Sequence, residues 1–314
     1  MGTFRLASRG SPLALCQSEL VVAALRAANP ELMVEVVVIR TRGDETSVSL
    51  DQIGGQGVFV TEVEAAVADG RADAAVHSAK DMTSVMAEHL VLAAVPPRAD
   101  PRDGLVGCAL ADLPPGGLIA TGSARRRAQL ANLRPDLSFT DLRGNMERRV
   151  IRGEDGSVSA VVVAVAAMDR LGWIDRLSDI LDPVDVLPQA GQGTIALQCR
   201  ADDDGTRQIL ATIDDVRSHR ALRAERAVLA GLGGSCTVPV GAWAETMAGS
   251  SELRVHGLVA SGDGHTVIRM SHTGDQPEAV GTELARKLLV DGGGSGIDGF
   301  DAIDPGQPGA DPAR

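Results

Sequence analysis

The 314-residue sequence predicts an α/β protein built from two lobes with a hinge and a cleft between them, followed by a small α+β domain. Three observations predict it. Strand-like and helix-like segments alternate over the first 80 residues and again from 118 to 165. Two proline- or glycine-rich crossings, at 96–101 and 187–193, separate these stretches. The second crossing leads into an apolar segment, 194–199, that is expected to return to the first lobe.

The elements follow in order. Residues 3–8 alternate as a strand, and Ser11-Pro12 supplies an N-cap and a first-turn proline for a helix over 13–28. Residues 33–40 are β-branched and read as a strand; 41–57 are a polar, glycine-rich loop. A helix over 58–68 stops at Gly70, and a short strand over 72–76 ends at His77. This succession implies a parallel sheet with helices on its faces. In the second lobe, strands are expected at 118–120, 137–141 and 160–165, with helices over 124–133 and 145–152. A helix over 214–232, strands at 238–246, 253–260 and 266–272 and a helix over 278–290 make the third domain. The expected limits are 1–95 with 194–212 for the first lobe, 99–188 for the second and 214–290 for the third. Residues 291–314 hold seven glycines and five aspartates, and a disordered tail is expected there.

Composition excludes several classes. The formal net charge of −12 disfavours binding of nucleic acid or an anionic membrane by the whole surface. Four Phe, two Trp and no Tyr leave little for base stacking. No apolar run approaches the ~20 residues of a membrane helix. The opening residues lack a signal-peptide core. The four cysteines are widely spaced without C-x-x-C, so neither a zinc site nor a disulfide framework is expected, and a reducing cytoplasm is the simpler location. The histidines show no metal-ligand spacing, and no metal is expected.

Lysine is the compositional anomaly. Of 30 basic residues only Lys80 and Lys287 are lysine. Lys80 lies in Ala74-Ala75-Val76-His77-Ser78-Ala79-Lys80-Asp81, at the carboxyl end of a strand, where open α/β sheets place ligands. A compact ammonium beside a carboxylate suits proton transfer or pairing with a developing cation; a surface ion pair is the plain alternative. Between 120 and 152, eight arginines face three acids, a local +5. Those at Thr121-Gly122-Ser123-Ala124-Arg125-Arg126 and at Arg143 to Arg149 sit at helix starts, where amides and guanidinium forks favour carboxylate or phosphate. Arg9, Ser11 and Gln17 form a weaker candidate anion site at the first helix. Cys236, in the glycine-rich turn Gly233-Gly234-Ser235-Cys236, is a candidate nucleophile or covalent anchor, against a small turn residue. Gly54-Gly55-Gln56-Gly57-Val58-Phe59 lacks the P-loop lysine and reads as a lid.

The chain resembles the porphobilinogen deaminase family. The matching motifs are S-R-G-S-P-L-A-L-x-Q, G-G-Q-G-V-F-V-T-E-V-E, A-A-V-H-S-A-K-D, D-P-R-D, T-G-S-A-R-R, L-R-G-N, L-P-Q-A-G-Q-G and G-G-S-C-T-V-P-V-G, spread over roughly 4–290. The resemblance implies two lobes like those of periplasmic binding proteins and a third domain bearing a dipyrromethane cofactor in thioether linkage to Cys236. It implies a cytoplasmic, monomeric transferase of tetrapyrrole (heme) biosynthesis. Four porphobilinogen molecules are joined head to tail with loss of ammonia, and water releases hydroxymethylbilane. Asp81 is implied as the catalytic group that faces the pyrrole N–H groups. Lys80, Ser78, Thr121, Ser123, Arg125, Arg126 and Asp44 are implied as cofactor contacts. Arg9, Ser11, Gln17, Arg143, Arg149, Arg176 and Gln192 are implied as substrate contacts, and Gln56 and Phe59 as lid residues. Gln56 stands where the family usually has lysine, Ala79 replaces a common methionine and Thr83 a proline. A low-activity paralogue and a two-lobed carboxylate-binding protein are the alternatives; a binding module needs no covalent anchor.

Overall fold

The computed structural model describes residues 3–40, 60–83, 86–233 and 238–300. It divides into two compact units, Met1–Ala99 with Thr194–Arg220, and Asp100–Gly193 with Ala221–Arg314.

The first unit is built on β1 (Phe4–Arg9), β2 (Val34–Ile39), β3 (Ala74–Ser78), β4 (Leu90–Ala94) and β10 (Ile195–Arg200), in the order β2-β1-β3-β10-β4. Strands β1, β2 and β3 are parallel, with Phe4 opposite Val34 and Leu6 opposite Ala74. Helix α1 (Pro12–Ala28) begins as its sequence dictates: Pro12 occupies the first turn and the Ser11 hydroxyl accepts from Ala14 N at 3.3 Å. It buries Val21 and Leu25 against Phe4, Leu6, Val34 and Leu197. Helix α2 (Thr61–Ala68) covers the other face through Val63, Ala66 and Val67.

The expected return of the chain is present. Strand β10 enters between β3 and β4 and runs antiparallel to both, with Ile195 opposite Ser78. The parallel arrangement expected of the first three strands holds for β1, β2 and β3, and the antiparallel β10 makes the sheet as a whole a mixed one. The strand comes back from the second crossing rather than from a covering helix, so no βαβ connection dictates its direction. Helix α6 (Asp204–Ala211), absent from the sequence reading, follows it; Asp203 caps it by accepting from Thr206 N at 2.9 Å.

The second unit repeats the pattern in β5 (Asp103–Gly107), β6 (Leu118–Ala120), β7 (Ser138–Thr140), β8 (Ala160–Ala164) and β9 (Asp179–Ile180), ordered β7-β6-β8-β5-β9. Strands β6, β7 and β8 are parallel, whereas β5 is antiparallel to β8 and β9. Helix α3 (Ala124–Leu133) starts at Ser123, and α4 (Met146–Glu154) starts at Asn145, whose side chain accepts from Arg148 N at 3.0 Å. The short α5 (Val165–Arg170) follows β8 directly.

The same unit holds a three-stranded antiparallel meander, β11 (Val240–Thr246), β12 (Leu253–Ala260) and β13 (Val267–Gly274). Helices α7 (Val216–Gly231) and α8 (Pro277–Arg286) pack on it through Ala224, Val228, Val280 and Leu284, joined by Leu288 in the π-helical turn after α8. Gly281 lets the helices approach closely, since a Cβ there would run into the Ala224 carbonyl oxygen. The β12–β13 turn at Gly264, with φ at +77°, rests on α3, and Asn132 Nδ2 donates to its carbonyl at 3.1 Å. The disordered tail expected from 291 is corrected over its first part. Ile297 and Phe300 enter the domain core, and Gly292 and Gly294 allow the backbone close to Ile268 and Leu288. Residues 301–314 lie outside the described residues.

Candidate active site

In the first unit the sheet brings two strand ends together. Strands β1 and β3 are parallel neighbours, so Arg9 at the end of one and Ser78 at the end of the other share the carboxyl edge. Ser11 caps α1 at this edge and Gln17 is buried on its inner face. Beneath them the Ser8 and Ser18 hydroxyls share a buried 2.7 Å hydrogen bond. Past Ser78 the chain turns through the 3-10 segment Ala79–Asp81, and Ala79 N donates to Thr194 O on the returning strand at 3.0 Å. The turn leaves Lys80 half-buried and Asp81 exposed. Behind it, His77 Nε2 lies 3.0 Å from Gln198 Oε1 inside the sheet. A carboxylate on a short turn at a strand edge, anchored from below, meets the geometric needs of a charge-stabilising or proton-transferring group.

In the second unit Thr121 and Ser123 sit at the carboxyl end of β6. Thr121 is fully buried, and its hydroxyl accepts from Ser123 N at 3.2 Å. Arg125 and Arg126 lead inward rather than to solvent, with exposures of 4% and 6%. Both meet Asp103 on β5. Arg125 Nη2 donates to Oδ2 at 2.8 Å, and Arg126 donates to Oδ1 from Nε at 3.1 Å and Nη2 at 2.6 Å. Gln192 Nε2 donates to the same Oδ1 at 2.9 Å and to Pro101 O at 2.6 Å. The two Nη1 nitrogens meet carbonyls: Arg125 Nη1 donates to Leu187 O at 2.5 Å and Arg126 Nη1 to Val162 O at 2.9 Å. Arg125 Nε is buried without a hydrogen-bond partner. Burial on its own would raise the Asp103 carboxyl, but the charges of Arg125 and Arg126 and the bonds from Arg126 and Gln192 hold it well below the usual carboxylate range. Burial lowers the Arg125 guanidinium, against the pull of Asp103.

Within the second unit, Arg143, Arg149 and Arg176 are not among the donors to Asp103. Arg143 is exposed, and Arg149 Nε donates to Gly144 O at 2.8 Å. Arg176 is paired with Glu154, through Nε at 2.8 Å and Nη2 at 2.5 Å, and lies over the Trp173 ring. Cys236, Asp44, Gln56 and Phe59 lie outside the described residues. Sequence reasoning missed Asp103, although it is the last acid of the quoted D-P-R-D. It also missed Arg170, whose Nη2 donates to Gly193 O at 2.7 Å. Among the described residues no group of three or more His, Cys, Asp or Glu could hold a metal ion. None of the described helices is long and apolar enough to cross a membrane.

The donor set fits a polycarboxylate cofactor. Arg125 Nε is a buried donor lacking an acceptor, and two hydroxyls, Thr121 and Ser123, stand at the same strand end. Carboxylate oxygens are the acceptors such a set calls for.

Comparison with known proteins points the same way. Residues 4–208 match the family model "Porphobilinogen deaminase, dipyromethane cofactor binding domain" and residues 220–290 match "Porphobilinogen deaminase, C-terminal domain". Porphobilinogen deaminase of Syntrophobacter fumaroxidans is 42% identical over 294 residues, 92% of this chain and 94% of that protein. Those of Roseiflexus castenholzii and Bacillus pumilus are 44% and 39% identical, over 92% and 95% of this chain and 96% and 97% of theirs. Among solved structures, a nutrient binding protein from Burkholderia cenocepacia bound to methionine matches with a TM-score of 0.40 and 14% identity, over 69% of this chain and 93% of that one.

Proposed function

The chain belongs to the porphobilinogen deaminase family, and on that premise we propose how its residues divide the work of joining four porphobilinogen molecules into hydroxymethylbilane. It is a transferase with a dipyrromethane cofactor. When bound, the cofactor supplies a nucleophilic pyrrole carbon on which the chain of pyrroles is started.

Asp81 is the catalytic residue of this reading. Its position supports the reading best: it is exposed on the turn that leaves the carboxyl end of β3, beside Lys80, at the sheet edge where β1 ends in Arg9. There its carboxylate accepts from pyrrole N–H groups, balances the positive charge left when ammonia departs, and receives or returns a proton. Lys80, Ser78, Thr121, Ser123 and Arg125 hold the cofactor carboxylates, Arg126 backs Arg125 from within the protein, Asp44 accepts from the cofactor's pyrrole N–H groups, and Cys236 forms the thioether. Arg9, Ser11, Gln17, Arg143 and Arg149 bind the acetate and propionate groups of the substrate, and Gln192, expected as a substrate contact, is buried with its amide on Asp103 and Pro101 O and supports the site from within. Arg176 joins them by exchanging Glu154 for a substrate carboxylate. Gln56 and Phe59 belong to the lid. The reading includes a monomeric, cytoplasmic enzyme and the three domains limited at 1–95 with 194–212, 99–188 and 214–290.

Intact mass tests it. Protein from a host that makes porphobilinogen is expected to carry an adduct of two pyrrole units that is absent from Cys236→Ser. A native mass equal to the bare polypeptide overturns the assignment.

A further inference from the structure

The Arg125–Arg126 pair poses a charge problem. Two guanidinium groups are buried at 4% and 6% exposure, and their like charges repel unless an anion lies between them. Asp103, fully buried, is that anion. Its two oxygens are used unequally. Oδ1 takes Arg126 Nε, Arg126 Nη2 and Gln192 Nε2, whereas Oδ2 takes Arg125 Nη2. With Val162 O on Nη1, all three nitrogens of Arg126 are engaged by the protein. Arg125 keeps one donor, Nε, without a partner. One carboxylate between two guanidiniums also leaves the trio at net +1. A buried excess charge and an unmatched buried donor on the same residue call for an anionic acceptor from outside.

We propose that Asp103 is a positioning residue that divides the two arginines between separate tasks: it fixes Arg126 as scaffold and holds Arg125 with Nε left for a cofactor carboxylate. Asp103 touches no reacting atom; it acts through the arginines. Gln192 completes the device by donating to both Asp103 Oδ1 and Pro101 O, which adds a third donor to the oxygen that Arg126 holds. The proposal rests on the reading of Arg125 as a contact of the dipyrromethane.

The test uses Asp103→Asn and the double variant Asp103→Asn/Arg126→Gln, made beside the wild type in a host that supplies porphobilinogen. Asparagine keeps the shape and removes the charge, taking the trio to +2; the double variant returns it to +1 without restoring the grip on Arg125. Three quantities are read: the fraction of chains with the two-pyrrole adduct by intact mass, the melting temperature, and KM and kcat per loaded chain. In Asp103→Asn, loading is expected to fall about tenfold while the loaded fraction keeps KM within about threefold of wild type. In the double variant the melting temperature is expected to recover and loading to stay low. Wild-type loading in Asp103→Asn overturns the proposal. So does a double variant that regains loading together with stability, or a pair of variants that both fail to fold, since each assigns Asp103 to the scaffold alone. An adduct missing from the wild type overturns the cofactor reading instead.

Discussion

Arg126 closes on a single oxygen of Asp103: Nε at 3.1 Å and Nη2 at 2.6 Å both donate to Oδ1, and neither residue is more than 6% exposed. A carboxylate gripped in this way is charged in the folded protein far below the pH at which it is protonated in the unfolded chain. Its stabilising contribution is therefore complete above the unfolded value of about 3.9 and is lost as pH falls through the lower, folded value. Near neutrality, Asp103→Asn should cost about 3–5 kcal/mol, because it leaves two buried guanidiniums without their counter-ion. The gap between wild type and variant should narrow below about pH 4. Urea unfolding from pH 7 down to pH 3 measures this; curves that stay parallel throughout would show that Asp103 is not the titrating group.

Asp81 is exposed on a three-residue turn, so its side chain contributes little packing. Asp81→Ala should leave the melting temperature within a degree or two, yet lower kcat by about 10²–10⁴, the range of a positioned acid–base group. Ammonia release and hydroxymethylbilane formation are the readouts. Turnover close to wild type would remove Asp81 from the mechanism.

Glu154 competes for Arg176. The pair is about one-third to two-fifths exposed, with side-chain values of 32% and 43%, so its own contribution to stability is small. Replacing Glu154 with Gln should free the guanidinium and lower KM for porphobilinogen by about threefold, with kcat unchanged. A KM that does not move places Arg176 outside substrate binding.

Gly264 tests the seating of the β12–β13 turn on α3. Its φ of +77° lies in the left-handed region, and a Cβ would collide with the Ala128 carbonyl oxygen. Gly264→Ala should cost at least about 2 kcal/mol, from the backbone penalty plus the forced displacement. Thermal unfolding reads this directly, and a loss below about 0.5 kcal/mol would mean that the turn moves freely off the helix.

The helices that begin with caps were legible in the sequence. Ser11-Pro12, Ser123 and Asn145 each mark a helix start that the structure keeps. Strand β6 and helix α3 fall on the residues expected for them. Strands β4 and β5 were not legible, because Leu90–Ala94 and Asp103–Gly107 are short, rich in alanine or glycine and lack an alternating pattern. The antiparallel entry of β10 was also hidden, since direction is set by tertiary pairing rather than by strand composition. At the site, the basic helix start at Arg125-Arg126 could be read locally. Its partner could not, because Asp103 stands 22 residues before Arg125, on another strand. Arg176 illustrates the same limit, as its capture by Glu154 spans 22 residues.

The position of β10 between β3 and β4 has a consequence for biosynthesis. The first unit's sheet stays interrupted until residues 195–200 have left the ribosome, about a hundred residues after β4. At about 5–20 residues per second, that delay is roughly 5–20 s. Throughout it, the apolar flanks of β3 and β4 have no strand to pair with and are open to other chains. The nascent first unit is thus a natural client for chaperones, and the five-stranded sheet of the second unit, whose strands all lie between 103 and 180, can close before the first is complete.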